Sequence, residues 1–410
     1  MAVAATQEFL EAFYGLPQEV VFCKSCVISN QRPSSTVEFK HTKDEAKKTI
    51  GFGEDGICDA CRYHQTKERE IDWKKREDQL VALLDKHRKN DGGYDVVVPG
   101  SGGKDSAFTS HVLKYRYGMN PLTVTWAPHL YTDIGFKNFE AWCHVGGHDN
   151  ILFTPNGKLH RLLTKLAFIN LLHPFQPFIV GQRIIGPMMA AKFGVELVMY
   201  GENQAEYGNN PDENYVPTMD RKFFTAQDPY TMMLGGVPVK DIIAEHGYTI
   251  NDFEPYIPPD ADLLERKGVE VHYLGYYLKW DPQECYYYAV ENTGFQSNSE
   301  RTPGSYSKYS SIDDKIDMFH YFTTLIKFGI GRATYDASQE VRNDKITREE
   351  AVHLVRKFDQ EFPDKYYAEF LEYIGLTDED FWQTVDRFRS PHLWEKSGSE
   401  WKLRHTVFEA

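Results

Sequence analysis

The run Ser101-Gly102-Gly103-Lys104-Asp105-Ser106 brings together the groups that bind an oxyanion. It follows an apolar stretch at 94–99 and precedes a helical pattern. A strand, a glycine turn and a helix direct unpaired backbone N–H groups and the positive end of a helix dipole at one point. Gly102 and Gly103 let the backbone approach a phosphate where a Cβ would obstruct it. Ser101 and Ser106 add hydroxyl donors, and Lys104 adds a mobile positive charge. Asp105 either holds Mg²⁺ or caps the helix. The spacing is neither that of the GxxxxGK[ST] phosphate loop nor that of the GxGxxG dinucleotide fingerprint.

A second constellation is made of cysteines. Cys23-Lys24-Ser25-Cys26 and Cys58-Asp59-Ala60-Cys61 are two CxxC pairs. Together they offer four thiolates at tetrahedral spacing, which suits structural Zn²⁺, with an iron–sulfur cluster as the competing occupant. Gly51, Gly53 and Gly56 precede the second pair and allow a tight return.

The elements that must position these groups follow from the hydrophobic pattern. Strands are expected at 96–98, 122–126, 151–153 and 195–200, and helices at 106–117, 135–145, 160–172 and 181–193. This alternation predicts an α/β fold, a parallel sheet with helices on both faces. Ligands then gather at the carboxyl ends of the strands. Leaving those ends are the Ser101 loop, Trp126-Ala127, and Gly201-Glu202-Asn203. Trp126 either lines a pocket at that edge or belongs to the core, and Glu202 and Asn203 are candidates for metal or substrate contact. A helix is expected at 68–89, an irregular excursion at 205–265, and an aromatic-rich stretch from Val269. The chain reads as helical from Ile312, with helix starts at Thr347-x-x-Glu350 and Thr377-x-x-Asp380. Three regions result: a metal-binding module at 1–75, a nucleotide domain at 76–265, and a mainly helical region at 266–410.

Composition narrows the classes. The chain has 410 residues, 41% hydrophobic and 14% aromatic, which fits two or three domains with a substantial core. No apolar run approaches membrane-spanning length, and the first residues lack a signal-peptide pattern, so a cytoplasmic protein is expected. A net charge of −14 without a dense Lys/Arg run argues against a nucleic-acid partner.

The Ser101–Ser106 loop resembles the pyrophosphate loop, SGGxDS, of the ATP-pyrophosphatase superfamily. Residues 126–135, 172–178, 200–208 and 327–340 strongly resemble the bacterial N-acetyl sugar amidotransferases, which include the pseudaminic-acid and lipopolysaccharide O-antigen amidotransferases. The resemblance runs from about Phe22 to past Arg342, and both CxxC pairs fit it. It implies an adenine nucleotide alpha hydrolase-like fold with ATP and Mg²⁺ as cofactors. It also implies conversion of an acetamido group on a nucleotide-linked, acidic sugar into an acetamidino group. The amide oxygen would attack the α-phosphorus of ATP, pyrophosphate would leave, and ammonia would displace AMP. Ser101, Gly102, Gly103 and Ser106 would then cradle pyrophosphate with Lys104, and Trp126 and Ala127 would border adenosine. Lys327 and Arg332 flank a glycine pair and would clamp phosphate or a sugar carboxylate, unless they form surface salt bridges. No glutaminase motif is visible, so the resemblance implies a separate ammonia-supplying glutaminase–synthase pair like that of histidine biosynthesis. The rival reading is a tRNA-modifying enzyme of the sulfur-transfer or lysidine type.

Overall fold

The computed structural model describes residues 10–34, 43–209, 215–225 and 228–410. Parts of the expected excursion, 210–214 and 226–227, lie outside the described residues.

Five short strands form one parallel sheet: β1 (Val96–Pro99), β2 (Pro121–Trp126), β3 (Asp149–Phe153), β4 (Leu197–Tyr200) and, after a two-residue hairpin β5 (Met233–Leu234) and β6 (Val237–Pro238), β7 (Glu270–Tyr273). Their spatial order is β3-β2-β1-β4-β7. Val97 faces a core shared with α5 (Gly157–Leu171) and α6 (Gln176–Phe193). Val96 and Val98 face the opposite core, with Leu80, Leu84 and Trp280. Burial on both faces explains why β1 is continuously apolar rather than alternating. Among the described residues no helix is long and apolar enough to cross a membrane.

The strand order reverses between β1 and β4, so the loops leaving them diverge and open a crevice at the sheet's carboxyl edge. The loop after β1 enters α3 (Lys104–His111), while that after β4 carries Glu202. Gly102 sits at φ +82°, and a Cβ there would lie 2.9 Å from the Cα of Phe139 in α4 (Asp133–His144). Only glycine meets both demands.

Two expectations are corrected. The helix expected at 68–89 is two helices, α1 (Asp59–Arg69) and α2 (Trp73–His87). The Asp72 carboxylate accepts from the Lys75 N–H at 3.0 Å and starts α2 afresh. The expected boundary at 265 divides the sheet, because β7 pairs with β4 from Leu197↔Glu270 to Tyr200↔Tyr273.

Beyond β7 the chain is mainly helical. Whereas α7 (Val239–His246) and α8 (Ala261–Arg266) precede β7, after it come α9 (Leu274–Tyr277), α10 (Pro282–Thr293), α11 (Asp317–Phe328), α12 (Arg332–Arg342) and α13 (Arg348–Phe358). The chain ends with α14 (Tyr367–Ile374), α15 (Asp378–Arg387) and a hairpin, β8 (Trp394–Ser397) and β9 (Glu400–Leu403). Thr347 and Thr377 start α13 and α15 with reciprocal capping boxes to Glu350 and Asp380.

One segment, 313–315, folds this region over the sheet. It runs against the loop after β2, with Thr132 N–H on the Asp313 carbonyl at 3.1 Å and Lys315 N–H on the Leu130 carbonyl at 2.9 Å. A Cβ on Gly135 would come within 2.4 Å of the Asp313 Cα, so α4 and this segment meet backbone to backbone. Asp314 fixes the join, accepting from the His129 N–H at 2.7 Å and meeting its Nδ1 at 2.8 Å.

Candidate active-site cleft

A cleft of about 470 Å³ opens where the sheet's carboxyl edge meets the C-terminal helices. One wall is the Ser101–Asp105 loop with Glu202 and Tyr207; the other comes from 307–345 and includes Asp313, Asp317, Tyr321 and Arg332.

On the first wall the Lys104 ammonium lies 2.6 Å from the Asp105 carboxylate. Burial pulls the Lys104 pKa down, but Asp105 and Glu202 outweigh it, so the lysine is held charged above its ordinary range. Burial, and then Asp105, push Glu202 up, against Lys104 and the Tyr207 hydroxyl, which donates to Glu202 at 2.7 Å. A buried carboxylate with a second carboxylate beside it suits a divalent cation with oxygen ligands. Asp105 and Glu202 would hold Mg²⁺ here, beside the loop that would hold the phosphates. Ser106 turns from the cleft, donating to the Gly103 carbonyl at 3.1 Å.

The second wall meets the first through the Ser101 hydroxyl, which bonds the Asp313 carboxylate. Burial raises Asp313, and that bond opposes the rise. Burial also pushes Asp317 up to about 7, while Arg332 draws it down. Arg332 starts α12, lies 3.1 Å from Asp336 one turn on, and stacks 4.1 Å from the Tyr321 ring.

Lys327 is placed elsewhere. It is 2% exposed and donates to the Leu171 carbonyl at 3.0 Å, at the carboxyl end of α5. An ammonium there satisfies a helix-end carbonyl and favours the dipole, and it does not line the cleft. Trp126 is core: its ring stacks on Phe153 at 5.3 Å, and a Cβ on Gly181 would reach it at 2.3 Å. The Ala127 N–H is taken by the Phe153 carbonyl at 2.9 Å. Neither lines the cleft. Gly201 lies against Trp280, where a Cβ would fall 2.9 Å from the indole. The Asn203 side chain accepts from the Ala205 N–H at 3.1 Å and shapes the turn that carries Tyr207.

The cleft also uses residues that sequence reasoning passed over. Arg183 enters from α6, and Arg32 from the loop between the cysteine pairs. The signal for Arg183 was a lone cation inside the apolar run from Phe178 to Met189. Arg32 had none, since only the folded chain brings it to α12.

The four cysteines do converge. All are buried, with their sulfurs within 4.8 Å of one another. Cys23 and Cys61 lie 3.9 Å apart, and Cys26 and Cys58 3.8 Å. A tetrahedral Zn–S₄ centre requires about 3.8 Å between sulfurs. Backbone N–H groups of Ser25, Cys26 and Cys58 point at the Cys23 sulfur, as they do around a bound thiolate. The cluster docks on the C-terminal region, where Arg348 donates to the Cys23 and Cys26 carbonyls at 3.3 and 3.2 Å.

Among solved structures, the chain is similar to the NH3-dependent NAD synthetase of Campylobacter jejuni, at 18% identity and a TM-score of 0.27. The alignment covers 33% of this chain and 59% of that one, so the chain spans less than two thirds of that structure's length. NMN synthetase from Francisella tularensis aligns over 70% of this chain and 97% of its own, at 12% identity and a TM-score of 0.28. Comparison with curated proteins finds no match. Residues 303–407, which supply most of the cleft's second wall, match the family model described as "LPS biosynthesis protein WbpG-like, C-terminal domain".

Proposed function

We propose that this chain is an ATP-dependent, AMP- and pyrophosphate-forming ligase that converts an acetamido group of a nucleotide-linked sugar into an acetamidino group. Its setting is the cytoplasmic stage of lipopolysaccharide or nonulosonic-acid assembly. One observation carries the reading: the Ser101–Asp105 loop and the segment matching an LPS-biosynthesis family face each other across a single cleft.

An amide carbonyl is a poor electrophile. Attaching AMP to its oxygen makes that oxygen a leaving group, which is why ATP is cleaved at the α-phosphorus. The Ser101–Asp105 backbone N–H groups and Lys104 receive the pyrophosphate as negative charge develops on it. Mg²⁺, when bound, neutralises part of that charge beside Asp105 and Glu202. Arg332 and Arg183 serve the acceptor, whose anionic groups a guanidinium binds through paired donors. Tyr321, with Arg332 stacked on its ring, and Tyr335 line the cleft where the sugar would bind. Ammonia comes from a separate glutaminase–synthase pair, and Zn²⁺ on the four cysteines holds the N-terminal module.

The test is mass spectrometry of a reaction containing the chain, ATP, Mg²⁺, ammonium and a panel of nucleotide-linked acetamido sugars. A product in which NH replaces oxygen, formed with equal AMP and pyrophosphate, is expected for one sugar. If ATP is cleaved to AMP only on adding tRNA, the sugar reading fails and tRNA modification replaces it.

A further inference from the structure

The cleft is crowded with carboxylates, and nearly all are committed. Asp105 pairs with Lys104 at 2.6 Å, and Glu202 accepts from Tyr207 at 2.7 Å. Asp281 caps α10 and meets Lys345 at 3.1 Å. Asp313 accepts from the Ser101 hydroxyl and from backbone N–H groups. Asp336 holds Arg332, and Glu340 accepts from the Tyr306 hydroxyl at 2.8 Å. Asp317 differs. Its side chain bonds the Ser311 hydroxyl and lies beside the Arg332 guanidinium, whose Nε is held by Asp336. It is half-buried, at the first turn of α11, and open to the cleft.

Resting on the amidating function proposed above, we propose that Asp317 is the proton acceptor of the amination step. At neutral pH ammonia is mostly ammonium, which has no lone pair to attack with. A proton passes from the ammonium nitrogen to an Asp317 carboxylate oxygen. The freed pair forms the C–N bond to the imidate carbon. The C–O bond to AMP then breaks, its electron pair leaving with the AMP oxygen, and the Asp317 proton returns to solvent through the open cleft. No electron is lost or gained overall.

The surroundings tune the group for that exchange. Burial, with Asp313 and Asp314 on the preceding segment, raises Asp317, and Arg332 of α12 lowers it. Tyr321, one turn along α11, faces both Asp317 and Arg332. The balance lies at about 7, where a general base works best near neutrality. Asp317 stands on the wall that matches the LPS-biosynthesis family, across the cleft from the pyrophosphate loop. Adenylation and amination therefore draw on opposite walls.

The test uses Asp317→Asn and Asp317→Glu in the full chain, with two readouts. Pyrophosphate–ATP exchange in the presence of the acceptor sugar reports adenylation, and amidine formation from ammonium across pH reports amination. The Asn variant is expected to keep exchange within about threefold and to lose amination by about 10²–10⁴-fold. Its limb near neutrality should vanish, the Glu variant should recover part of the rate, and hydroxylamine, unprotonated at neutral pH, should escape the defect. Equal loss of exchange and amination in both variants, or an unchanged pH profile in the Asn variant, overturns the assignment while leaving the amidating reading intact. A wild-type chain that shows no exchange with any acetamido sugar overturns that reading and the assignment with it.

Discussion

Replacing Lys104 by Met removes the positive charge that Asp105 and Glu202 hold on the wall formed by the Ser101 loop. AMP formation should fall by about 10²–10³-fold, the loss typical of a preorganised transition-state contact, with little change in melting temperature. Lys327→Met should do the reverse. It leaves the Leu171 carbonyl buried without its ammonium, at a cost of about 1–3 kcal/mol, and should lower the melting temperature while KM for ATP and sugar stays unchanged. Steady-state kinetics beside thermal denaturation separate the two lysines. The difference between them marks what sequence can carry at this scale. The Ser101 loop was legible because its glycines, hydroxyls and lysine are chain neighbours whose chemistry is local. The fate of Lys327 was not, because its acceptor lies 156 residues away. Nor was the setting of Asp317 legible, because it exists only once the fold brings Arg332 and Asp336 together beside it.

Helix starts were read best where the signal is a short-range exchange of hydrogen bonds, as at Thr347 and Thr377. Strand β7 escaped because it has four residues and sits in a run of tyrosines whose pattern does not separate strand from core. The start of α12, which carries Arg332, was equally hidden because its cap comes from α13's end. Asp359 accepts from the Gly331 N–H at 3.0 Å, the Thr334 N–H at 2.7 Å and the Thr334 hydroxyl at 2.8 Å. Burial raises Asp359 to about 6, with these bonds opposing the rise. Because its folded value lies above the unfolded one, the native state binds the extra proton between about pH 4 and 6, and stability from this group falls as pH rises through that window. Asp359→Ala should cost about 1–3 kcal/mol at acidic pH, where the penalty for charging the carboxylate is smallest, and less at pH 8. Urea titrations at the two pH values check this sign. The variant should also raise KM for the sugar, since Arg332 leads the helix that Asp359 anchors. Gly331 cannot accept a side chain there, as a Cβ would lie 2.3 Å from the Asp359 carbonyl oxygen.

The three expected regions do not behave as separable parts, and a buried lysine shows why. Lys67 of α1 is 1% exposed, and its ammonium reaches both Glu206 oxygens at 3.1 Å, the Trp280 carbonyl at 2.9 Å and the Asn343 side chain at 3.4 Å. Those partners belong to the loop after β4, the segment before α10 and the end of α12. Each adjoins a cleft-lining residue: Tyr207 follows Glu206, Asp281 follows Trp280, and Asn343 lines the cleft itself. Arg342 ties the same junction down from α12, donating to the Glu206 carbonyl at 3.1 Å. The cysteine-bearing module therefore stands behind the cleft rather than beside it. Lys67→Met strands the Glu206 carboxylate in the interior and should cost about 3–5 kcal/mol, the usual penalty for breaking a buried pair from one side. Pairing it with Glu206→Gln removes the stranded charge, so the double variant should recover much of that loss while AMP formation stays depressed, because the tie that Lys67 makes between the Glu206 turn and Asn343 is still missing. If the double variant regains activity in step with stability, the junction serves folding alone. Removing the metal acts on the same junction from the other end. With the Zn²⁺ proposed on the four cysteines, chelation should free the Cys23–Cys26 knuckle that Arg348 grips and lower thermal stability and AMP formation together, with both restored by added Zn²⁺. Stability that falls under chelation while AMP formation holds would show that the module can loosen without disturbing the cleft, and would sever the link that Lys67 makes between them.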